Sequence, residues 1–555
     1  MPPPDPVQLL RQGLDHQQRG ELNQAEANYR QVLALHPNHP KALHLLGFLL
    51  GQKGGLEAAV ELVRRAIAID PADPTMYNNL GVWLGELRRF DEAVAAQRQS
   101  IRLVPASAIA HFNLAEALKG GGALDEALGE LREALRLNPD QAFIHSNLVF
   151  LLQYHPRFDA AALRAELRRW REKFADPLKA EIRPQANDRS PERRLRVGYV
   201  SPDFRDHCQS LFTIPLLAHH DHTALEIFCY AGVARPDAAT GRIAGYADLW
   251  RDVRPLDDAA LCALIRADRI DILVDLTMHM AGGRPLVFAR KPAPIQITWL
   301  AYPGSTGISA IDYRLTDPYL DPPNEDVDEM YVEKSIRLPA TFWCYDPLEN
   351  PPPAVGPLPA LTRGHVTFGS LNECFKVNEG VLKLWARVLA GVAGSRLVLL
   401  ADEGSHRERT LGVLEGLGVS RQRVSFFAKR PRGRYLELYH QIDIGLDTLP
   451  YNGHTTSLDS YFMGVPVVTL VGNTVVGRAG LSQLTNLGLP ELIARTPDEY
   501  VRIARQLASN LERLAGLRAA LRGRMRASPL MDAAAFARGI EAAYRQMWRH
   551  WCATA

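Results

Sequence analysis

The segment Tyr451–Val468 (YNGHTTSLDSYFMGVPVV) carries the residues best suited to binding a phosphate group. It follows the apolar run DIGLDT, and the turn pair Asn452-Gly453 marks the point where a helix is expected to begin. Thr456 and Asp459 have the spacing of a capping box. A helix N-terminus offers unpaired backbone N–H groups, and here hydroxyls as well, which suits a diphosphate. The same spacing is also typical of a helix that is simply capped, and that interpretation stays open at this point.

Two other runs of residues invite a metal interpretation, and neither is favoured. His219-His220-Asp221-His222 lies at the predicted end of a helix, where histidines oppose the helix dipole, and adjacent residues do not converge on one ion. The Asp-x-Asp sequence Asp326-Val327-Asp328 lies in an acidic segment rich in turn residues, which indicates a solvated loop. The six cysteines show no CxxC spacing, so neither a disulfide framework nor a zinc site is predicted. We expect no metal site.

Short apolar runs separated by helix-length segments predict the elements that position the phosphate-binding segment. The first group consists of LRVGYVS (195–201), EIFCYAG (226–232), DILVDLT (271–277) and IQITWLA (295–301). After a proline-rich stretch, a second group follows: HVTFGSL (365–371), RLVLLA (396–401), RVSFFA (423–428), DIGLDT (443–448) and PVVTLV (466–471). Alternating strands and helices indicate parallel sheets covered on both faces. Two such lobes in tandem place a cleft between them, with ligands beyond the carboxyl ends of the strands.

The first quarter of the chain repeats every 34 residues. Pro37, Pro71, Pro105 and Pro139 keep this step, as do the small residues at positions 25, 59, 93 and 127. A 34-residue period with small residues at helix crossings and a closing proline is the tetratricopeptide signature. A fifth unit is visible but lacks its proline. We therefore expect a helical solenoid, a fold that usually binds another polypeptide.

Asn79, Asn113 and Asn147 form a ladder with one asparagine in each of three repeats, on the first helix of the unit. An asparagine side chain can both donate to and accept from a passing backbone. The ladder therefore predicts a groove for an extended peptide. The alternative, an asparagine that bonds within the solenoid, stays equally open.

Length and composition exclude several classes of protein. The chain has 555 residues, which fits three or four domains, and it is 46% hydrophobic and 23% charged. The net charge of +2 gives no electrostatic case for nucleic acid. No apolar run reaches the roughly 18 residues of a membrane span. The N-terminus MPPPDPVQLL has neither the basic region nor the apolar core of a signal peptide. We expect a cytoplasmic protein that does not enter a membrane.

Several motifs together resemble the O-GlcNAc transferase family, and its bacterial homologues most of all. They are GYVSPDFRDH (198–207), PAPIQITWLAYPGSTG (292–307), FGSLNECFK (368–376), NGHTTSLD (452–459) and SPLMDAAAFARGIEAAYRQMW (528–548). They stand in the family order, behind tetratricopeptide repeats, and the resemblance spans nearly the whole chain. It implies a GT-B glycosyltransferase: an α superhelix of repeats followed by an α/β fold of two Rossmann-like lobes with a cleft between them. A UDP-sugar binds in the cleft, the anomeric carbon is inverted, and neither a metal nor another cofactor is required.

The resemblance also assigns residues to the nucleotide-sugar. Lys376 matches the family lysine that contacts the diphosphate, and Asp459 matches the acidic residue that holds the ribose hydroxyls. Tyr435 falls near the uridine and Arg432 near the ribose. The remaining expected contacts are Asn372, Glu373, Arg430, His454, Thr455 and Thr456. Glu373 departs from the family, where glutamine is frequent, and a carboxylate beside a diphosphate should weaken binding.

The acceptor side of the cleft is assigned in the same way. His207 matches a family histidine that has been cast as the general base, and its alternative role is to orient donor or acceptor. Pro303 and Gly304 belong to the loop Tyr302–Gly307, whose glycines allow close approach to a sugar. His279 is a second cleft candidate, with a structural histidine as its alternative.

These observations predict the domain division. The repeat solenoid covers 1–176, a linker 177–193, the N-terminal lobe 194–345, a proline-rich linker 346–362, the C-terminal lobe 363–530 and a last helix 531–555.

The predicted function is transfer of a sugar, with UDP-GlcNAc as the expected donor, to serine or threonine of polypeptides held by the solenoid. UDP-glucose and GDP-fucose are alternative donors within the same fold. A scaffold with a vestigial transferase is the alternative from another class, and an epimerase or phosphorylase is less favoured because no G-x-G-x-x-G follows a strand. The sequence makes no prediction about oligomeric state.

Overall fold

The computed structural model describes residues 5–323, 328–349 and 351–554. The chain divides into two compact units. The first comprises residues 1–148 together with 401–410, and the second comprises 149–400 and 411–555.

The first unit consists of antiparallel helix pairs, as the 34-residue period predicts. The helices are α1 (Pro6–Gln18), α2 (Leu22–Leu35), α3 (Pro40–Gln52), α4 (Leu56–Ile69), α5 (Pro74–Glu86), α6 (Phe90–Leu103), α7 (Ala108–Gly120), α8 (Leu124–Leu137) and α9 (Ala142–Leu152). Asp73 caps α5 by accepting from Thr75 N, and Ser107 caps α7 by accepting from Ala110 N. The predicted repeat fold is confirmed.

Small residues stand where the helices of a repeat cross. A Cβ atom on Gly81 would lie 2.3 Å from Nε2 of Gln97, and one on Gly13 would lie 2.4 Å from the ring of Tyr29. Both distances are shorter than any van der Waals contact, so a larger residue would require the facing side chain or the helix itself to shift. This close approach is the physical reason for the glycine step in the repeat.

The second unit begins with α10 (Ala160–Trp170), a π-helical turn at Arg171–Ala175 and a 3₁₀ turn at Asp176–Glu181. A parallel sheet follows, formed by β1 (Leu195–Ser201), β2 (Leu225–Ala231), β3 (Leu249–Asp252), β4 (Ile272–Asp275), β5 (Ile295–Thr298), β6 (Tyr313–Thr316) and β7 (Lys334–Arg337). Its strand order is β3-β2-β1-β4-β5-β6-β7. The helices α11 (Ser210–Leu217), α12 (Ala238–Ala244), α13 (Asp258–Ala267) and α14 (Pro285–Ala289) connect the strands.

A second parallel sheet lies further along the same unit. It contains β8 (Thr367–Ser370), β9 (Arg396–Leu400), β10 (Val424–Phe427), β11 (Ile444–Leu446), β12 (Val467–Leu470) and β13 (Ile493–Ala494), in the order β10-β9-β8-β11-β12-β13. Its helices are α15 (Ala360–Arg363), α16 (Glu379–Ala390), α17 (Ser405–Gly416), α18 (Arg432–Glu437), α19 (Thr455–Phe462), α20 (Ala479–Asn486), α21 (Pro497–Ala508) and α22 (Leu511–Arg526). Both sheets reverse strand order next to their first strand, which is the doubly wound arrangement.

The last helix, α23 (Ala533–Ala553), returns to the first sheet. Phe536 packs against Trp299 with ring centroids 5.7 Å apart, and the Tyr544 hydroxyl lies 3.1 Å from that of Tyr199. Buried apolar residues of both sheets and of α23 form one continuous core. The chain thus returns from the second sheet to pack its last helix against the first.

The structure contains strands that the apolar runs did not predict. β3 has half-buried side chains, and β6 carries the buried Arg314 in its centre. Edge strands with one covered face and strands with a charged core residue lack the continuous apolar run on which the prediction depends. The division into six segments stays a prediction.

Candidate active site

Lys376 and the segment after β11 meet at the carboxyl end of the second sheet. Lys376 closes a 3₁₀ turn (Cys374–Lys376) that follows β8. Its Nζ donates to the carbonyl oxygen of Asn452 at 2.8 Å and lies 4.1 Å from the ring centroid of Tyr451. Burial lowers the pKa of Lys376 to about 8, although the Asp447 carboxylate opposes that shift. The ammonium is therefore held against the turn where the predicted phosphate-binding helix begins.

The N-terminus of α19 differs from the predicted capping box. His454 is the cap residue and makes no side-chain capping bond, and Thr456 already lies inside the helix. The carboxylate of Asp459 accepts from Arg432 and Tyr345, so it does not reach back to the helix start. The capping-box prediction is wrong because the helix begins two residues earlier than the spacing requires. The uncapped start leaves the first N–H groups available to an anion.

His454 is neutral at physiological pH. Burial, together with the smaller effect of the Lys376 charge, lowers the pKa of His454 to about 3. Its Nε2 lies 3.3 Å from the carbonyl oxygen of Val476, and its ring packs against Trp343 and Tyr451. A neutral, fixed ring at this position adds no competing charge to the turn. Thr455 and Thr456 are half-buried in the first turn of α19.

Asp459 forms a buried ion pair with Arg432. Arg432 donates through Nη1 to Oδ2 at 2.8 Å and through Nη2 to Oδ1 at 2.6 Å. The Tyr345 hydroxyl donates to the same Oδ1 at 2.7 Å. Burial alone would lower the pKa of Arg432, but the Asp459 carboxylate raises it above its usual value. A carboxylate has about four acceptor sites, so three donors leave room for one more, such as a ribose hydroxyl.

Tyr435 packs edge-on against Tyr439, with ring centroids 5.7 Å apart. Its hydroxyl lies 3.0 Å from the Tyr439 hydroxyl, which in turn donates to the carbonyl oxygen of Thr456 at 2.9 Å. These contacts connect Tyr435, which was expected to lie near the uridine, to the first turn of α19.

Glu373 is paired with a lysine of the same lobe. Lys429 Nζ donates to Glu373 Oε1 at 2.8 Å. The lysine offsets the charge that a carboxylate would otherwise bring to the diphosphate. Asn372 is buried, with Nδ2 3.2 Å from Ser370 Oγ and with Oδ1 lacking a hydrogen-bond partner. Arg430 is exposed at the surface, with its guanidinium 5.7 Å from the Phe427 ring centroid.

His207 lies in the loop that follows β1, with Asp203 and Cys208 as its neighbours. Its Nδ1 is 3.8 Å from Asp203 Oδ1, and its Nε2 is 3.8 Å from Cys208 Sγ. Burial alone would lower the pKa of His207, but Cys208 and Asp203 raise it above its usual value. Nδ1 also accepts from Gln209 N at 3.4 Å. A histidine with a carboxylate nearby can accept a proton near neutral pH.

The loop Tyr302–Gly307 follows β5 and is held in place by hydrogen bonds to two charged side chains. Glu333 accepts from Ser305 Oγ at 2.6 Å and from Thr306 N at 2.7 Å, and Arg314 Nε donates to the carbonyl oxygen of Gly304 at 3.1 Å. Pro303 and Gly304 are buried in this loop. Gly307 adopts φ +72°, a conformation that favours glycine.

His279 lies beneath the Tyr302–Gly307 loop. Its ring is completely buried, packs edge-on against Trp170 at 4.8 Å between centroids, and places Nε2 2.8 Å from the carbonyl oxygen of Thr306. This contact supports the Tyr302–Gly307 loop from behind. The alternative stated for this histidine fits the structure better than a place in the cleft.

The asparagine ladder bonds within the repeats. Asn79 Nδ2 lies 2.9 Å from His44 Nε2, Asn113 Nδ2 donates to Asn78 Oδ1 at 2.8 Å, and Asn147 Nδ2 donates to the Phe143 carbonyl oxygen at 2.9 Å. Each side chain still has further hydrogen-bonding capacity. The peptide-binding role of the ladder stays a prediction.

The residues considered for a metal do not converge in the described part of the chain. His219 Nδ1 contacts the Pro215 carbonyl oxygen, whereas His220 pairs with Glu541 and His222 pairs with Asp248. Asp326 and Val327 of the Asp-x-Asp sequence lie outside the described residues. Within the described ranges, no group of three or more histidine, cysteine or acidic side chains could hold a metal ion. Over the same ranges, every helix is too short or too polar to cross a bilayer.

Sequence reasoning missed the residues that support the site. Asp447 ends the predicted run DIGLDT, and Tyr451 opens the phosphate-binding segment, yet neither was assigned a role. The signal for Asp447 was an acidic residue directly after an apolar strand. Arg314 and Glu333 had no such signal, because they lie in regions where no strand was predicted.

Comparison with known proteins bears on the same parts of the chain. A profile for Glycosyl transferase family 41 matches residues 136–349 and 359–540, and a tetratricopeptide-repeat profile matches 10–74 and 80–142. A protein of Solanum lycopersicum named "Probable UDP-N-acetylglucosamine--peptide N-acetylglucosaminyltransferase SPINDLY" is 44% identical over 374 residues, which is 66% of this chain and 40% of that protein. A relative from Arabidopsis thaliana with the same enzyme name and the designation SEC is 30% identical over 371 residues, 65% of this chain and 38% of that protein.

The chain thus spans about two fifths of the length of these curated relatives. A solved structure of the Thermobaculum terrenum O-GlcNAc transferase, a Lys-to-Met variant, is 39% identical with a TM-score of 0.86. That match covers 93% of this chain and 98% of the solved one. The family profile matches well over half of the chain and covers both sheets. The chain belongs to glycosyl transferase family 41.

Proposed function

We propose that this protein transfers a sugar from a UDP-sugar, with UDP-GlcNAc as the donor, to serine or threonine hydroxyls of polypeptides held by the repeats. The observation that carries the proposal is the half-buried Lys376 ammonium beside the uncapped N-terminus of α19. A cation and backbone N–H groups that lie close together stabilise the negative charge of a leaving diphosphate. The names of the relatives support the choice of donor and of a peptide acceptor.

The proposed reaction is a single displacement at the anomeric carbon. The acceptor oxygen forms a bond to that carbon on the face opposite the diphosphate, and the bond from the carbon to the phosphate oxygen breaks. Its electron pair stays on UDP, where Lys376 and the α19 N–H groups stabilise the charge. The hydroxyl proton passes to a base, for which His207 is the candidate.

We propose that no metal or other cofactor takes part. Lys376 and the helix dipole of α19 supply positive charge at the diphosphate, and Lys429 offsets the carboxylate of Glu373 nearby. Arg432 and Asp459 form the ribose side, with Tyr435 near the base. All six cysteines are free thiols, which is consistent with a reaction in the reducing cytoplasm.

A thermal-shift panel with UDP, GDP, UDP-GlcNAc, UDP-glucose and GDP-fucose tests the donor. A nucleotide at 100 times its dissociation constant stabilises the folded state by about 2.7 kcal/mol, which a melting curve resolves. We expect shifts with UDP and UDP-GlcNAc and none with GDP or GDP-fucose. A shift with GDP and GDP-fucose alone would indicate that the donor is GDP-fucose rather than a UDP-sugar. A folded sample without any shift would favour the scaffold.

A further inference from the structure

Asp447 is a buried carboxylate next to the candidate site, and the proposed reaction does not use it. It directly follows β11, and 3% of its surface is exposed. Its Oδ1 accepts from Gly453 N at 2.7 Å and from Thr448 N at 2.9 Å, and its Oδ2 accepts from Thr469 Oγ1 at 2.6 Å. All three donors are neutral, so none of them balances the charge of a buried carboxylate.

The same carboxylate closes the turn that holds Lys376. Oδ1 joins the start of the turn (Thr448) to its end (Gly453), and within the turn Asn452 Nδ2 donates to the Thr448 carbonyl oxygen at 2.8 Å. The Asn452 carbonyl oxygen then accepts from Lys376 Nζ. Asp447 therefore helps to fix the position of the carbonyl oxygen that accepts from the lysine.

The two charges also act on each other. Burial raises the pKa of Asp447 to about 6, and Lys376 is among the groups that oppose the rise. Burial lowers the pKa of Lys376 to about 8, and Asp447 is the strongest of the groups that oppose the fall. The other titratable groups that face this pair are Cys208, Glu373, His454, Tyr461 and Tyr500.

We infer that Asp447 is a positioning residue for Lys376: its carboxylate fixes the Thr448–Gly453 turn and keeps the lysine charged where the diphosphate leaves. The inference rests on the proposed function, in which Lys376 stabilises the leaving group. It adds that the charge of Lys376 depends on a residue outside the proposed donor contacts.

Asp447→Asn separates the charge from the geometry. The asparagine carbonyl can accept from both N–H groups, and its Nδ2 can donate to Thr469 Oγ1, so the turn is retained while the charge is lost. We expect the pKa of Lys376 to fall by about one unit. The alkaline limb of kcat/KM should move to lower pH by the same amount.

Asp443→Asn is the matched control. Asp443 precedes β11 at the opposite end of the strand, is fully buried, and accepts from Ala360 N at 2.9 Å and Thr367 N at 2.8 Å. It carries the same kind of buried carboxylate but does not hold the turn of Lys376. We expect this variant to change stability while leaving the alkaline limb in place.

Competitive acetylation of lysines as a function of pH, read by peptide mass spectrometry, measures the pKa of Lys376 without any substrate. Lys383, exposed on α16, serves as the internal reference. A lower pKa for Lys376 in Asp447→Asn, and an unchanged one in Asp443→Asn, supports the inference. An unchanged pKa for Lys376 in Asp447→Asn overturns it. Because this readout needs no donor, it is independent of the proposed function, which fails separately if the wild-type chain binds no nucleotide.

Discussion

Replacing Lys376 with alanine is expected to lower the rate of sugar transfer by about 10²–10³-fold, the loss typical of removing one charge-stabilising group from a reaction centre. The ammonium is held by the Asn452 carbonyl oxygen and the face of Tyr451, at the start of the turn that leads into α19. The interaction matters most as charge develops on the leaving diphosphate. The loss should therefore fall mainly on kcat and less on the KM of the donor.

Lys383→Ala is the control for this variant. Lys383 lies on α16, the helix that follows Lys376, with 58% of its side chain exposed and an ion pair only to the exposed Glu379. Its removal should leave the rate unchanged and cost at most about 0.5 kcal/mol of stability. Near wild-type turnover in Lys376→Ala would contradict a role for the lysine in the reaction.

Replacing Asp459 with alanine is expected to lower both stability and nucleotide affinity. It leaves the half-buried Arg432 without its carboxylate, and breaking this pair should cost about 3 kcal/mol, the lower end of the range for buried pairs. Loss of a charged hydrogen bond to the ribose should also weaken UDP binding by about ten- to a hundredfold. Chemical denaturation measures the first effect, and titration calorimetry with UDP, at a temperature where the variant is folded, measures the second.

Asp498→Ala is the control in the same lobe. Asp498 pairs with Arg387 at 2.5 Å, but its side chain is 86% exposed, and such pairs contribute at most about 1 kcal/mol. It should leave UDP binding intact. Unchanged UDP affinity in Asp459→Ala would contradict the ribose role, and equal stability losses in the two variants would contradict the importance of the buried pair.

The repeats and the long buried strands follow from local sequence patterns. Glycines recur with the 34-residue period because the two helices of a repeat cross closely, as Gly81 shows where it faces Gln97. Apolar runs such as LRVGYVS predict β1 because both of its faces are covered. The edge strand β3 was not predicted because its side chains are only half-buried and its sequence has no apolar run. The short strand β6 was not predicted because the buried Arg314 interrupts its apolar residues.

The site depends more on contacts between distant segments. Lys376 and Asp459 could be proposed from a resemblance, but the pairing of Arg432 with Asp459, 27 positions apart, could not. The predicted capping box failed because the carboxylate of Asp459 is engaged by Arg432 and Tyr345 rather than by its own helix. Asp447 acts through a turn whose geometry no sequence pattern specifies.

The most direct test of the account is transfer itself. The full chain is incubated with serine- and threonine-containing peptides and with UDP-GlcNAc, UDP-glucose or GDP-fucose, with and without a chelator, and the peptides are sequenced by mass spectrometry. We predict that N-acetylhexosamine is added to serine or threonine from UDP-GlcNAc, that the chelator has no effect, and that Lys376→Ala lowers the rate of product formation by about 10²–10³-fold. Transfer from another donor, transfer to asparagine, loss of activity with the chelator, or no transfer at all would contradict the account.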